Sequence, residues 1–313
     1  MKENVDAKLN LKLAIPHSTQ HGHRFVVREI GKEALEITYE TKHRLIPKPF
    51  KLPSHMLIDD WTLEVAGLQQ GELTKKLRWA KGLKFTNEEP HIINHVLKYY
   101  EERFAVSKNE WRGYIDFCGV NGNKEELKKY WHLETGIPSQ NLRFYWRKER
   151  ASENAAKSGS IQICLLNRPF GEFAVNMLFL LGRIAESEIE FAVPYIRGIL
   201  AADGWPDLCQ DGPLHHVNIA YDSINEARHY VSVLQKFGVN SQVQESSRKI
   251  LISGWGNHFR LLSIDAFKLH PKRKAKFQRG FLTHMMTQLL LRRLQLLEKD
   301  GKITAHLSLN MRG

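Results

Sequence analysis

Two acids stand in matched places in this chain. The segment Pro194 to Pro206, "PYIRGILAADGWP", reads as an apolar helix of small residues that ends on Asp203. An acid in the last turn faces the partial negative charge of a helix C-terminus, so stability alone does not favour it. Earlier, "AGLQQGE" lines up with "RGILAAD" without a gap, which sets Glu72 opposite Asp203. In both segments small residues recur at i and i+4, Gly67 with Gly71 and Gly198 with Ala202, giving each helix a flat ridge. Helices packed on such ridges can approach more closely than the usual axial separation of roughly 8–10 Å. As a pseudo-twofold pair they would bring Glu72 and Asp203 together, and two carboxylates repel unless a cation sits between them. That matches a divalent-metal phosphodiesterase centre, in which oxygen ligands hold Mg²⁺ and the metal activates water and stabilises the leaving oxygen. Either motif alone reads as readily as a core helix closed by a glycine cap. The gapless pairing of two, each ending in an acid, favours the catalytic reading.

The charge balance points to the class of partner. The chain has 313 residues, with 46 Lys and Arg against 34 Asp and Glu, a formal charge of +12. Such a surplus favours a polyanion, with nucleic acid ahead of an acidic membrane surface. Three scattered cysteines, Cys118, Cys164 and Cys209, indicate neither a disulfide framework nor a CxxC metal site, and a reducing setting fits them. The N-terminus has no apolar core of signal-peptide type, and the greasiest segment, "FAVNMLFLLGRIAE", is broken by Asn176 and Arg183. The expectation is an intracellular protein without membrane association, in the cytoplasm or a nucleoid or organelle matrix.

The elements that must position the acids follow from periodicity. Residues 1–58 read as a basic N-terminal extension holding a strand pair, "HRFVVREI" and "ALEITYET", followed by the Pro-punctuated "RLIPKPFKLPSH". A first unit over 59–188 starts on the helix "WTLEVAGLQQGEL", then strand "GLKFTN" and helix "EPHIINHVLKYYEERFAV" with Asn87 as its N-cap. Strand "EWRGYIDF", helix "KEELKKYWHLETG", strands "NLRFYWRK" and "SIQICLLN" and a closing apolar helix complete it. A similar order returns over 189–282, with Ser223 and Glu226 at capping-box spacing. A period of about 130 residues is too long for a solenoid and reads as duplication of one αββαββα unit. Residues 283–313 form a helical tail, faintly like the opening of a helix-turn-helix and better read as a capping helix.

These residues carry a likeness. "IRGILAADG" resembles the LAGLIDADG signature and "VAGLQQGEL" its more diverged first copy, and the chain resembles a single-chain, two-repeat LAGLIDADG homing endonuclease of archaeal type. The likeness runs from about Leu52 to Phe281 and includes "IPKPFKLP", "KFTNEEPHII" and "YWHLETGIPSQNL". It implies an α+β fold of duplicated αββαββα units forming a pseudo-twofold saddle with antiparallel β-sheets, whose ribbons lie in the DNA major groove. It also implies a monomer that cleaves a long double-stranded DNA target, with Glu72 and Asp203 as the Mg²⁺-binding catalytic acids. Gln69, Gln70 and Leu73 depart from the signature, Leu73 standing where it has its final glycine, so weakened or strand-biased cleavage is one consequence. No splicing-type junctions frame the chain, which favours a free-standing, intron-encoded protein over an intein. The alternative is a protein of the same fold that binds without cutting, either a maturase for intron RNA or a sequence-specific DNA-binding protein.

Candidate nucleic-acid contacts come from strands in which basic and aromatic residues interleave. They are Arg78, Lys81 and Lys84 in "LRWAKGLKF", and Arg143, Tyr145, Arg147 and Lys148 in "NLRFYWRK". The densest patch, "KLHPKRKAKFQR", has six basic residues in twelve and no acid; Lys272, Arg273, Lys274 and Lys276 are expected to neutralise phosphates. Some family members keep a lysine hereabouts that assists the water nucleophile, a role that Lys268 or Lys272 could fill, with His270 as a proton carrier. A solvated, phosphate-contacting run explains these residues equally well. The pairs His21/His23 and His215/His216 lack companion ligands at zinc-like spacing and read as surface or DNA-contacting histidines.

Overall fold

The structure, a computed structural model, describes residues 7–19, 22–40, 48–72, 82–117, 123–146, 159–210 and 212–299. Five short strands come first: β1 (Lys8–Asn10), β2 (Phe25–Ile30), β3 (Ala34–Tyr39), β4 (Phe50–Pro53) and β5 (His55–Leu57). The expected strand pair is β2 and β3, joined antiparallel to β4, while β1 pairs with β5. β3 buries Leu35, Ile37 and Tyr39 on alternate positions, and Leu11, Ala14, Leu52 and Met56 join the same core as the helices that follow. The described strands before residue 58 therefore share the core of the body rather than standing apart from it. Their charged alternate positions disguise a buried face of period two.

The first half continues with α1 (Asp60–Glu72), β6 (Leu83–Asn87), α2 (Pro90–Phe104), β7 (Trp111–Phe117), α3 (Lys124–Thr135), β8 (Leu142–Trp146), β9 (Ser160–Leu165) and α4 (Arg168–Ala185). Its sheet runs β6-β9-β7-β8, antiparallel except for β7 and β8. Those two are parallel, and a parallel pair needs a crossover, which α3 supplies. This half thus carries an extra helix relative to αββαββα among its described residues. α2 begins one bend later than its expected cap, because Pro90 takes the first helical position and Glu89 becomes the N-cap. Asn87 instead accepts a bond from the Glu89 amide at 2.9 Å.

The second half follows the expected order. It contains α5 (Ile189–Asp203), β10 (Gly204–Leu208), β11 (Leu214–Ala220), α6 (Ile224–Lys236), β12 (Gln242–Gln244), β13 (Lys249–Ser253) and α7 (Trp255–Ser263). Its sheet, β10-β11-β13-β12, is antiparallel throughout. β10 gave no periodic signal because Pro206 sits in it, a residue that an edge strand tolerates. The final helix, α8 (Pro271–Lys299), is continuous through the expected boundary between second unit and tail. No described helix is long and apolar enough to cross a membrane.

The two halves meet where α1 lies on α5. A Cβ on Gly67 would collide with the Tyr195 carbonyl oxygen and lie 3.0 Å from the Ile199 nitrogen. One on Gly198 would collide with the Glu64 carbonyl oxygen and lie 2.6 Å from the Leu68 nitrogen. Each glycine thus meets the same two backbone atoms of the other half, which is a twofold relation written in contacts. Further along, Gly71 lies against Ala202, so the helices run in the same direction with their C-termini at one end. Gly198→Ala is expected to destabilise by about 1–3 kcal/mol through overpacking, despite the better helix propensity of alanine, as read from urea denaturation midpoints.

Candidate acid pair and nucleic-acid interface

α5 runs into β10 without a linker, Asp203 being the last helical residue and Gly204 the first of the strand. The Asp203 carboxylate leans across the helix pair. A Cβ on Gly71 would strike its Oδ2 and lie 2.9 Å from its Cγ. The glycine ridge of α1 therefore makes the cradle into which Asp203 fits, one residue before Glu72 closes α1. The Glu72 side chain lies outside what the structure describes.

Of the two glutamines that break the first motif, Gln70 has a partner for its amide nitrogen, whereas Gln69 is bonded through its oxygen while its buried Nε2 has no partner among the described residues. Gln69 is fully buried, and its Oε1 accepts from the Tyr100 hydroxyl at 2.7 Å. Gln70 donates at 3.2 Å to Glu226, a buried carboxylate of α6 that also accepts from the Tyr230 hydroxyl at 2.8 Å and the Asp222 amide at 2.8 Å. Burial, then the neighbouring Glu226 and Asp203 carboxylates, push the Tyr230 phenol well above its ordinary range. Ser223 caps α6 as expected, accepting from the Glu226 amide at 3.3 Å, while the Glu226 side chain turns toward the interface. The departure at Gln70 is thus matched by its surroundings, and that at Gln69 only through its oxygen.

The opposite end of the helix pair holds a second cluster. Glu64 is 3% exposed and lies 3.0 Å from Lys268 Nζ, 3.5 Å from Arg197 Nη1 and 3.8 Å from His95 Nε2. Arg197 also donates to the Ile264 carbonyl at 2.7 Å and reaches Asp60 at 3.3 Å. The eight steps from Glu64 to Glu72 span about 12 Å of helix, so Lys268 is not brought to the acid end. Burial and the adjacent Lys268 cation push the His95 imidazole down to about 4.

The basic segment, free of acids in sequence, finds acids in space. Lys272 lies 2.6 Å from Glu89, which holds its ammonium above the ordinary lysine value, and Lys274 lies 2.8 Å from Asp265. His270 is buried, its ring edge-on to His91 at 6.3 Å, and burial lowers its imidazole to about 4. Lys276 is exposed on α8. Arg273 donates through Nη1 to the carbonyls of Leu200, Ala201 and Ala202 at 3.3, 2.8 and 3.0 Å, directly on the last turn of α5. The structure thus places Arg273 at the acid end and Lys268 away from it.

Each sheet has one buried face and one polar face. In the first, Phe85, Ile115, Ile161 and Ile163 point inward, and Lys84, Thr86, Arg112, Tyr114, Gln162 and Arg143 share the other side by strand register. Gln162 donates to Thr86 across that face at 3.2 Å, and Lys84 and Arg112 flank Cys164 from either side. Arg112 and Tyr114 were not singled out from sequence, although period-two alternation in "EWRGYIDF" would have found them. The Tyr145 side chain and residues Arg78, Lys81, Arg147 and Lys148 lie outside the described set. In the second sheet the polar face carries Trp205, His216, Gln242, Gln244 and Lys249, with the Lys249 ammonium 5.2 Å above the Trp205 ring. The His215 and His216 rings lie 3.6 Å apart, tilted by 33°, and His23 stacks on Tyr39 at 5.7 Å. Among the described residues no group of three or more His, Cys, Asp or Glu is placed to hold a metal ion.

No family model matches the chain, and no curated protein does. Solved structures do. The N-terminal LAGLIDADG domain of DUF199/WhiA is 12% identical, with 67% of this chain and 83% of that one covered and a TM-score of 0.37. I-DmoI in complex with DNA and Mn is 12% identical, covering 66% of this chain and 96% of that one, with a TM-score of 0.40. Full-length DUF199/WhiA from Thermatoga maritima is 11% identical over 78% and 67% of the two chains, with a TM-score of 0.40. The fold of this chain is α+β by its own helices and mainly antiparallel sheets.

Protonation supplies a check. His95, His258 and His270 each sit near 4 because burial disfavours their charged form. The unfolded chain protonates them below about 6.5, so it binds more protons than the native state between there and 4. Stability is expected to fall as pH drops through that window and to be level above it. His258→Asn should flatten the slope of the urea midpoint against pH.

Proposed function

We propose that this protein is a site-specific DNA endonuclease, hydrolysing phosphodiester bonds of a double-stranded target with Glu72 and Asp203 as its metal-holding acids. The observation that supports this reading best is the twofold contact of α1 and α5, which sets positions 72 and 203 at matched helix ends. A helix ending on an acid is a poor choice for stability alone, and here two such ends converge. Asp203 fits the role, since its carboxylate is held toward the partner helix by the cradle at Gly71. A divalent cation bound between the two acids would activate water and stabilise the leaving oxygen. The polar faces of the two sheets would bind the duplex, with Lys84, Arg112 and Arg143 meeting phosphates or guanine edges and Tyr114 and Trp205 stacking or excluding water.

A second reading, specific DNA binding without cleavage, has its own support. Lys268 is held against Glu64 and Lys272 against Glu89, which engages with acids both lysines expected to assist the nucleophile. Cleavage and binding are separable by experiment. Supercoiled plasmids carrying a randomised target library should be linearised by the wild type with Mg²⁺, and left intact by Glu72→Gln and Asp203→Asn. Retained binding with no cutting by the wild type would establish the second reading. Arg112→Ala and Arg143→Ala are each expected to lower the slope of log binding constant against log salt by about one, whichever reading holds. Lys268→Met should leave the cleavage rate of the folded protein close to wild type.

A further inference from the structure

Arg273 reads in sequence as one more phosphate contact, and the fold places it elsewhere. Its guanidinium lies on the carbonyls of Leu200, Ala201 and Ala202. Leu200 already accepts from the Gly204 amide, whereas Ala201 and Ala202 belong to the final turn whose carbonyls have no helical donor. That turn carries about half a negative charge from the helix dipole, and Asp203 adds a full one. α1 brings a second helix C-terminus, ending on Glu72, to the same place. Such a convergence of negative charge should be unstable without a cation, and Arg273 supplies one from α8.

We propose that Arg273 is a built-in counter-cation of the acid end, a positioning residue that keeps α1 and α5 closed before a divalent ion arrives and then competes with that ion electrostatically. This rests on the reading of Asp203 as a metal ligand. Its charge and its hydrogen bonds have separable consequences. The hydrogen bonds fix the last turn of α5. The charge offsets Asp203 and so weakens the attraction of the site for a metal ion. His270, three residues before it and buried, is held neutral by burial and by Arg273 itself, so it adds no second charge beside the guanidinium at neutral pH.

The test uses the full chain without DNA, with Mn²⁺ binding read from the electron-spin resonance of free Mn²⁺ and stability read from thermal melting. Wild type, Arg273→Met, Arg273→Lys and Asp203→Asn are compared, together with the Arg273→Met/Asp203→Asn double variant. Arg273→Met should melt lower than wild type in a metal-free buffer, bind Mn²⁺ roughly tenfold more tightly and recover more of its melting temperature on adding Mn²⁺. Arg273→Lys keeps the charge and should stay near the wild-type Mn²⁺ affinity. The double variant should lose the extra Mn²⁺ response and be destabilised by less than Arg273→Met alone.

Mn²⁺ binding that depends on Asp203 but is unchanged in Arg273→Met would overturn the counter-cation role while leaving the metal site intact. The same follows if Arg273→Lys behaves like Arg273→Met, because the guanidinium fork rather than the charge would then matter. Absence of any Asp203-dependent Mn²⁺ binding in the wild type would instead sink the metal-site reading. In that case the metal-free coupling between Arg273 and Asp203 still decides whether the charges interact.

Discussion

Direct contact between the backbones of α1 and α5 is the constraint on which the other features depend, because helices can come this close only where neither carries a side chain. Gly67 and Gly198 meet equivalent atoms of the opposite half, so the contact also sets the twofold axis. Once it is made, the C-termini of both helices are forced to one end. The chain then has to manage two helix dipoles and at least one carboxylate in the same small volume. Much of the surrounding polar structure can be understood as a response to that crowding.

The response differs between the two ends of the helix pair. At the far end Glu64, nearly inaccessible, is surrounded by Arg197, Lys268 and the neutral His95, drawing two cations of the second half onto one buried acid of the first. At the acid end the carbonyls of α5 take Arg273, while Glu226 gathers Gln70 and Tyr230 beneath Asp203. Buried charges of this kind add little net stability over apolar packing, but removing one partner is costly, so they penalise a slipped helix register. The pairings across the halves are asymmetric, although the backbone contact is nearly twofold. Duplication explains the frame, and divergence of the side chains gives the halves different chemistry.

The two sheets show the same divergence. The first presents Lys84, Arg112 and Arg143 on its polar face, while the second presents Gln242, Gln244 and a lysine already committed to Trp205. A duplex lying across both would meet a more positive surface on one side than on the other. The first half has also taken in α3, which makes β7 and β8 parallel and displaces the β8 edge from the position that a simple hairpin would give it.

Local pattern was enough to determine most of the elements, since helix and strand periodicity, glycine spacing and the match of "AGLQQGE" to "RGILAAD" are all properties of short segments. It was enough to single out Asp203 and Glu72, because an acid at a helix C-terminus runs against the dipole and two such acids in register demand an explanation. It could not determine which atoms the basic residues reach. The run from Lys268 to Lys276 is free of acids in sequence, yet Glu64 and Glu89 arrive from the first half, and Asp265 from just upstream of the run, to meet its members. Arg273 is the sharpest case. Only the docking of α8 against the end of α5 separates it from its neighbours, because Coulomb and hydrogen-bond interactions depend on distance in space and composition records only distance along the chain.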